Sequence, residues 1–150
     1  MHNMHSEVLN MSKTIKIAII GLGEAGEIFS EHLLEKIQME QKPVEIVALA
    51  DPDLDSPVAL GFSQNRVPVY RDFLDILKHS DEIDIIFNLS GDPAITQRVR
   101  IELLNLKNKR TLIASEEFAQ LLWCFFNEPK DLPKAENRNF QLNWAKALSS

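Results

Sequence analysis

Three glycines, Gly21, Gly23 and Gly26, fit the spacing G-x-G-x-x-G, and Asp51 stands 25 residues beyond the last of them. Each member of this set has a job in holding a phosphate-bridged ligand. The first glycine permits a tight turn out of a strand, and the second lets backbone approach a pyrophosphate. The third lets the following helix pack closely on that strand. A helix starting near Glu24 would aim free N–H groups and the positive end of its dipole at the phosphates. Asp51 lies near the separation expected of a carboxylate that accepts hydrogen bonds from an adenosine ribose. Gly21, Leu22, Gly23, Glu24, Ala25, Gly26, Asp51 and Pro52 are therefore the expected dinucleotide-binding residues. Glu24 puts a negative charge beside the phosphate position, although it also suits the first turn of a helix. Asp53 follows Pro52 with no arginine, so a ribose 2′-phosphate would meet no cation and NAD is expected over NADP.

A second stretch, NLSGDP at 88–93, follows an almost unbroken apolar run. In an open parallel sheet the ligand lies outside the carboxyl ends of the strands, where the strand order reverses. Asn88, Leu89, Ser90 and Gly91 are expected to face the cofactor there. Asp92 and Pro93 also read as the N-cap and first residue of a helix. No residue is assigned a catalytic role. No His, Cys or Asp spacing fits a metal site; His2 and His5 have no third partner. Cys124, in LLWCFF, reads as a buried apolar residue. His32 and His79 read as isolated helix residues at or near the surface.

The elements that must position these residues alternate along the chain. Strand-type runs occupy TIKIAII (14–20), VEIVALA (44–50), VPVY (67–70), EIDIIFNLS (82–90) and RTLIAS (110–115). Between them the apolar positions Ala25, Ile28, Phe29, Leu33 and Ile37 recur at helical spacing, as do Ile95, Val99, Leu103 and Leu106. Short helices are expected after DPDLD and over RDFLDILKHS, and a strongly apolar one over 116–126. Such alternation predicts an α/β fold: a Rossmann-type, doubly wound parallel sheet of about five strands in one domain. Right-handed crossovers favour the order 3-2-1-4-5. The expected organisation is a disordered segment over 1–13, a dinucleotide-binding domain over 14–126, and a polar tail over 127–150 with a possible terminal helix.

Composition bounds the partners. Apolar residues make up 45% of the 150 and charged residues 25%, with a formal net charge of −6. Nothing in that balance points to nucleic acid or to an anionic membrane surface. A single cysteine allows no intrachain disulfide, which suits a reducing cytoplasm. MHNMHSEVLNMSK holds no continuous apolar stretch, so no signal peptide is read there. The helix over 116–126 carries more large apolar groups than one buried face needs. It is expected to contact a second copy, a partner protein, or the tail with Phe140, Leu142 and Trp144.

The glycine loop, ALADPD, VPVYRDFLDIL and the fourth strand resemble the N-terminal half of the glucose–fructose oxidoreductase/inositol dehydrogenase (Gfo/Idh/MocA) family, over roughly residues 14–120. The NAD-binding domains of homoserine dehydrogenase and dihydrodipicolinate reductase are similar more loosely. A Rossmann module ahead of sensory domains in some bacterial signalling proteins, including sensor histidine kinases, is a closer resemblance. Ser90-Gly91-Asp92-Pro93, Leu106-Lys107, TLIAS and Leu121-Leu122-Trp123 carry it. In the oxidoreductase family the fifth strand leads into E-K-P, whose lysine serves catalysis. Here ASEEFAQ puts Glu116 and Glu117 at that place, and about 24 residues follow Phe126 where the family adds a substrate domain. The resemblance therefore implies a non-catalytic, regulatory or sensory NAD(H)-binding module. The alternatives are an NAD-dependent oxidoreductase, truncated or completed by another chain, and the same fold holding coenzyme A or another adenine-containing ligand.

Overall fold

The computed structural model describes residues 13–135. The expectations for residues 1–12 and 136–150 lie outside the described residues. Five parallel strands form one sheet: β1 (Ile15–Ile20), β2 (Val44–Ala50), β3 (Val69–Tyr70), β4 (Ile85–Asn88) and β5 (Leu112–Ala114). Their order is β3-β2-β1-β4-β5, as expected. Four α-helices alternate with them: α1 (Glu24–Met39), α2 (Pro57–Gln64), α3 (Pro93–Asn105) and α4 (Glu116–Trp123). Residues Phe73–His79 wind as a 3-10 helix, tighter than an α-helix, between β3 and β4.

Side-chain alternation divides the core between the two faces of the sheet. Ile17, Ile19 and Phe87 face α1, α2 and α4, where Phe29, Phe62 and Trp123 cover them. Ala18, Ile20 and Ile86 face the 3-10 helix and α3, where Ile76, Val99 and Leu103 cover them. Both faces of β1 and β4 are buried, which is why these strands read as continuous apolar runs. The alternation breaks once. Val47 and Ala48 both join the second cluster, where the β1–β2 register shifts between Ile17 and Ala18.

The strands end earlier than their apolar runs. The regular ladder of β4 covers Ile85–Asn88, although at its two ends the Asp84 N–H still donates to the Lys16 carbonyl at 2.7 Å and the Leu89 N–H to the Ile20 carbonyl at 2.7 Å. Asp84 accepts the Lys16 backbone N–H at 2.9 Å and the Arg110 guanidinium at 2.5 Å. Lys13 Nζ lies 3.3 Å from the same carboxylate. The Lys16 N–H first, then Lys13 and Arg110, holds the Asp84 carboxyl below the usual carboxylate range. A carboxyl so depressed stabilises the fold above its ordinary pKa, and that stability is lost as pH falls through the folded value. Asp84→Asn is expected to cost about 1 kcal/mol at neutral pH. The gap between variant and parent melting temperatures should close on acidification; an equal gap at every pH would show that the charge is not what matters.

α4 stops at Trp123, three residues short of the expected end, and the next residues turn at Asn127, whose φ is +58°. Cys124 is exposed, correcting its expected burial. It stands on the same side of the helix as Gln120, whose carbonyl accepts its thiol at 3.4 Å. His32 and His79 are half-buried. His79 Nε2 pairs with the Tyr70 hydroxyl at 2.7 Å, and His32 packs edge-on against Trp123. Residues after Asn127 run back along α4. Leu132 is buried, and the Trp123 indole N–H donates to the Lys130 carbonyl at 2.8 Å.

Candidate functional site

All five strands run the same way, so Gly21, Asp51, Arg71, Leu89 and Ser115 leave the sheet at one edge. β1 and β4 are neighbours, yet α1 covers one face and α3 the other. The chain therefore diverges at the carboxyl ends of these two strands, which is where a crevice must open.

The three glycines of the first turn do different work. Gly21 has φ +100°, and a Cβ there would stand 2.7 Å from the Ser90 nitrogen and 2.8 Å from the Leu89 carbonyl. It is glycine because two loops pass at backbone distance. A Cβ on Gly26 would fall 1.8 Å from the Gly21 carbonyl oxygen, so α1 lies directly on the turn. The Ser30 hydroxyl, buried in the next turn, donates to the Gly26 carbonyl. Gly23 is exposed, and a Cβ there would meet no protein atom within 4 Å. Nothing inside the protein demands a glycine at that position.

Gly23 is also the N-cap of α1, and no side chain caps the helix. Ser56, Asp72 and Asp92 cap α2, the 3-10 helix and α3. The first N–H groups of an α-helix have no partner within it, so those of α1 remain available beside the open space at Gly23. Leu22 and Ala25 bury their side chains and offer a ligand only backbone. Glu24 is exposed in the first turn.

Asp51 is buried at the end of β2 and braces the glycine turn. Its Oδ1 accepts the Leu22 N–H at 2.7 Å, and its Oδ2 accepts the Asp53 N–H at 2.9 Å. The second bond closes an Asx turn across Pro52, a pattern that D-P-D could have announced. The bond to Leu22 spans 29 residues and has no sequence signal. Burial pushes the Asp51 carboxyl above its ordinary range; the Leu22 and Asp53 N–H groups oppose that, and the Asp53 charge adds to it. Glu27, one turn into α1, is raised as well, by burial and then by the charges of Glu31, Asp51 and Asp53. Sequence reasoning missed Glu27 as part of this acidic rim. A carboxylate oxygen that accepts one N–H keeps a lone pair, so Asp51 can still take a hydroxyl.

Across the crevice the NLSGDP turn is largely satisfied by itself. Asn88 is buried, and its amide donates to the Asp92 carbonyl at 3.0 Å and the Thr96 hydroxyl at 2.8 Å. Its Oδ1 accepts from the Ser90 N–H and hydroxyl, and the Ser90 oxygen accepts the Asp92 N–H. Asp92 caps α3 through the Ala94 N–H at 3.0 Å with Pro93 at the first helical position, as expected. Leu89 is buried in the core, and Gly91 turns at φ +80°. The side chains of Asn88 and Ser90 thus build the turn. The structure brings Gly21–Gly26, Asp51 and Asn88–Gly91 to one edge of the sheet.

Glu116 and Glu117 begin α4 after β5, on the same edge. Glu116 accepts the Ala135 backbone N–H. The Glu117 carboxyl is held below its usual range by its own backbone N–H and the Ser115 side chain. Among the described residues no cluster of three His, Cys, Asp or Glu could hold a metal ion, and no helix is long and apolar enough to cross a membrane.

No protein-family model matches the chain, and no curated protein is similar to it. Solved structures are. Homoserine dehydrogenase from S. aureus is 24% identical over 83% of this chain and 32% of its own, with a TM-score of 0.50. Scyllo-inositol dehydrogenase from Lactobacillus casei, with bound NAD(H) and scyllo-inositol, is 25% identical over 91% of this chain and 41% of its own, with a TM-score of 0.47. Myo-inositol 2-dehydrogenase from Lactobacillus plantarum is 35% identical, over 51% of this chain and 21% of its own, with a TM-score of 0.38. This chain thus spans between about a fifth and two fifths of the length of these enzymes. The likeness shows the fold.

Proposed function

We propose that the crevice between β1 and β4 holds NAD(H), and that the chain binds this cofactor without turning it over, as a regulatory or sensory module. One observation carries the reading: the exposed Gly23 at the uncapped start of α1, where a Cβ would meet open space. A glycine that the fold does not need, beside free helix N–H groups, is what a pyrophosphate needs. NAD(H) held by one of the similar dehydrogenases lends support. Gly23 to Ala25 supply backbone to the phosphates, Leu22 ties the turn to Asp51, Asp51 supplies an oxygen to the ribose, and Leu89 to Gly91 line the far wall.

NAD is favoured over NADP by charge. Burial raises the Asp51 and Glu27 carboxyls, and neighbouring negative charge adds to it: Asp53 beside Asp51, and Glu31, Asp51 and Asp53 beside Glu27. A 2′-phosphate added to that rim would bring further negative charge, and among the described residues no cation is ion-paired to Asp51, Asp53 or Glu27. Binding without chemistry is supported at β5. Glu116 and Glu117 stand where the resembling oxidoreductases carry a lysine, and one is tied to Ala135. Hydride transfer also needs a substrate fixed at the nicotinamide.

The test is a melt with NAD⁺, NADH, NADP⁺ and coenzyme A in turn. A ligand at a hundred times its Kd adds about 2.7 kcal/mol of stability, and the first two are expected to do so. No shift with any nicotinamide dinucleotide would overturn the proposal, and a shift with coenzyme A alone would assign the site to that ligand. Gly23→Ala should fold, costing about 0.5–1 kcal/mol for a poorer N-cap, yet lose the NAD shift. If the variant binds as well as the parent, the phosphates do not lie there.

A further inference from the structure

The outer face of α4 is unusual for a soluble domain. Ala119 and Trp123 bury the inner face, while Phe118 and Leu121 are each 54% exposed and Phe125 is 75% exposed. Phe118 and Leu121 lie one turn apart on α4, and Phe125 follows two residues beyond its end, so the three continue as one exposed apolar stripe. The segment after the helix covers a different flank. The Gln120 amide donates to the Leu132 carbonyl at 3.2 Å, and Glu116 accepts the Ala135 N–H. The chain has thus returned along α4 and stands at its N-terminus, one turn from Phe118, with residues 136–150 still to come. Those residues, ENRNFQLNWAKALSS, include Phe140, Leu142, Trp144 and Leu148.

We propose that residues 136–150 cover the Phe118–Leu121–Phe125 stripe of their own α4. Area favours this occupant over a second copy. At the ~200 Å² an aromatic side chain can bury, the stripe leaves on the order of 350 Å² open. A stable dimer takes about 800 Å² from each partner. A tethered segment needs less, because the link gives it a local concentration of about a millimolar or more. Fifteen residues reach the whole stripe from Ala135, since even a helix of that length spans about 22 Å.

Trp144 supplies the readout. Acrylamide quenching of the full chain, less that of Trp144→Phe, isolates the emission of Trp144. It is expected to be protected several-fold relative to a free peptide of residues 136–150, equally at high and low protein concentration. Leu121→Asp, at an exposed position, should leave the far-ultraviolet circular dichroism unchanged and remove that protection; Phe125→Ser should do the same. Trp144 as open to quencher as in the free peptide would overturn the proposal. So would protection that persists in both variants, since the segment would then pack elsewhere. Protection that disappears on dilution, with a dimer seen by sedimentation, would overturn it in favour of a second copy.

Discussion

Gly26→Ala is expected to abolish the folded domain or cost it about 3 kcal/mol or more. The Cβ would sit 1.8 Å from the Gly21 carbonyl oxygen, and that oxygen belongs to backbone. A flexible side chain could swing aside, but this carbonyl cannot. Gly21 follows β1, the central strand of the sheet, and its own N–H donates to the Ala50 carbonyl at 2.8 Å. It is also in contact distance of Leu89 and Ser90 on the other side. To admit one methyl group, α1 must lift off the sheet and uncover Phe29, a fully buried residue packed on Phe87. Chemical denaturation followed by circular dichroism measures the loss. A Gly26→Ala chain as stable as the parent would mean that α1 does not lie on the turn as described.

Asp51→Ala is expected to act on both fold and ligand. The Leu22 N–H, now bonded to Asp51 at 2.7 Å, would be left buried without an acceptor. Such a loss costs about 1–3 kcal/mol. The NAD affinity should fall by roughly tenfold, which corresponds to about 1.4 kcal/mol. Calorimetric titration of the variant with NAD⁺ checks this, and an unchanged affinity would remove Asp51 from the site. The pH dependence has a definite sign. An aspartate raised by burial is penalised when ionised in the folded state, so the penalty is absent below its unfolded pKa. It grows as pH rises through the folded value and stays constant above it. Ligand binding runs the other way. Protonation removes an acceptor for the ribose hydroxyls, so NAD affinity should weaken on acidification, beginning at higher pH than for an ordinary aspartate.

Much of this architecture was legible in the residues. The alternation of β-branched runs with 3.6-residue periodicity gave the strand order, because right-handed crossovers leave few ways to wind five parallel strands. The glycine spacing gave the turn, and Asp92-Pro93 gave the start of α3, since both are local chemistry. Local patterns failed where a partner lay far along the chain. The expected β4 overruns its ladder because the apolar Ile83 and Leu89 flank it, and the expected β5 overruns its own by the polar Arg110, Thr111 and Ser115, for which the pattern offers no stop. The apolar neighbours of Cys124 suggest burial, but it caps the end of α4 on the side away from Ala119 and Trp123, which face the core. Leu132 and the return along α4 gave no signal, as their partners are Trp123 and Gln120 rather than a pattern in PKDLPK.

The sequence by itself determined the kind of fold and the edge of the sheet at which the glycine turn lies, because hydrophobic period and glycine spacing are properties of neighbouring residues. Only the tertiary structure distinguished the three glycines. Two are demanded by backbone passing within 3 Å, and one, Gly23, faces open space. Only it could show that Asp51 braces the turn through Leu22, and that Asn88 and Ser90 spend their side chains on each other. These are contacts between loops that meet at the edge of the sheet, and their distances exist only once the strands have been laid side by side.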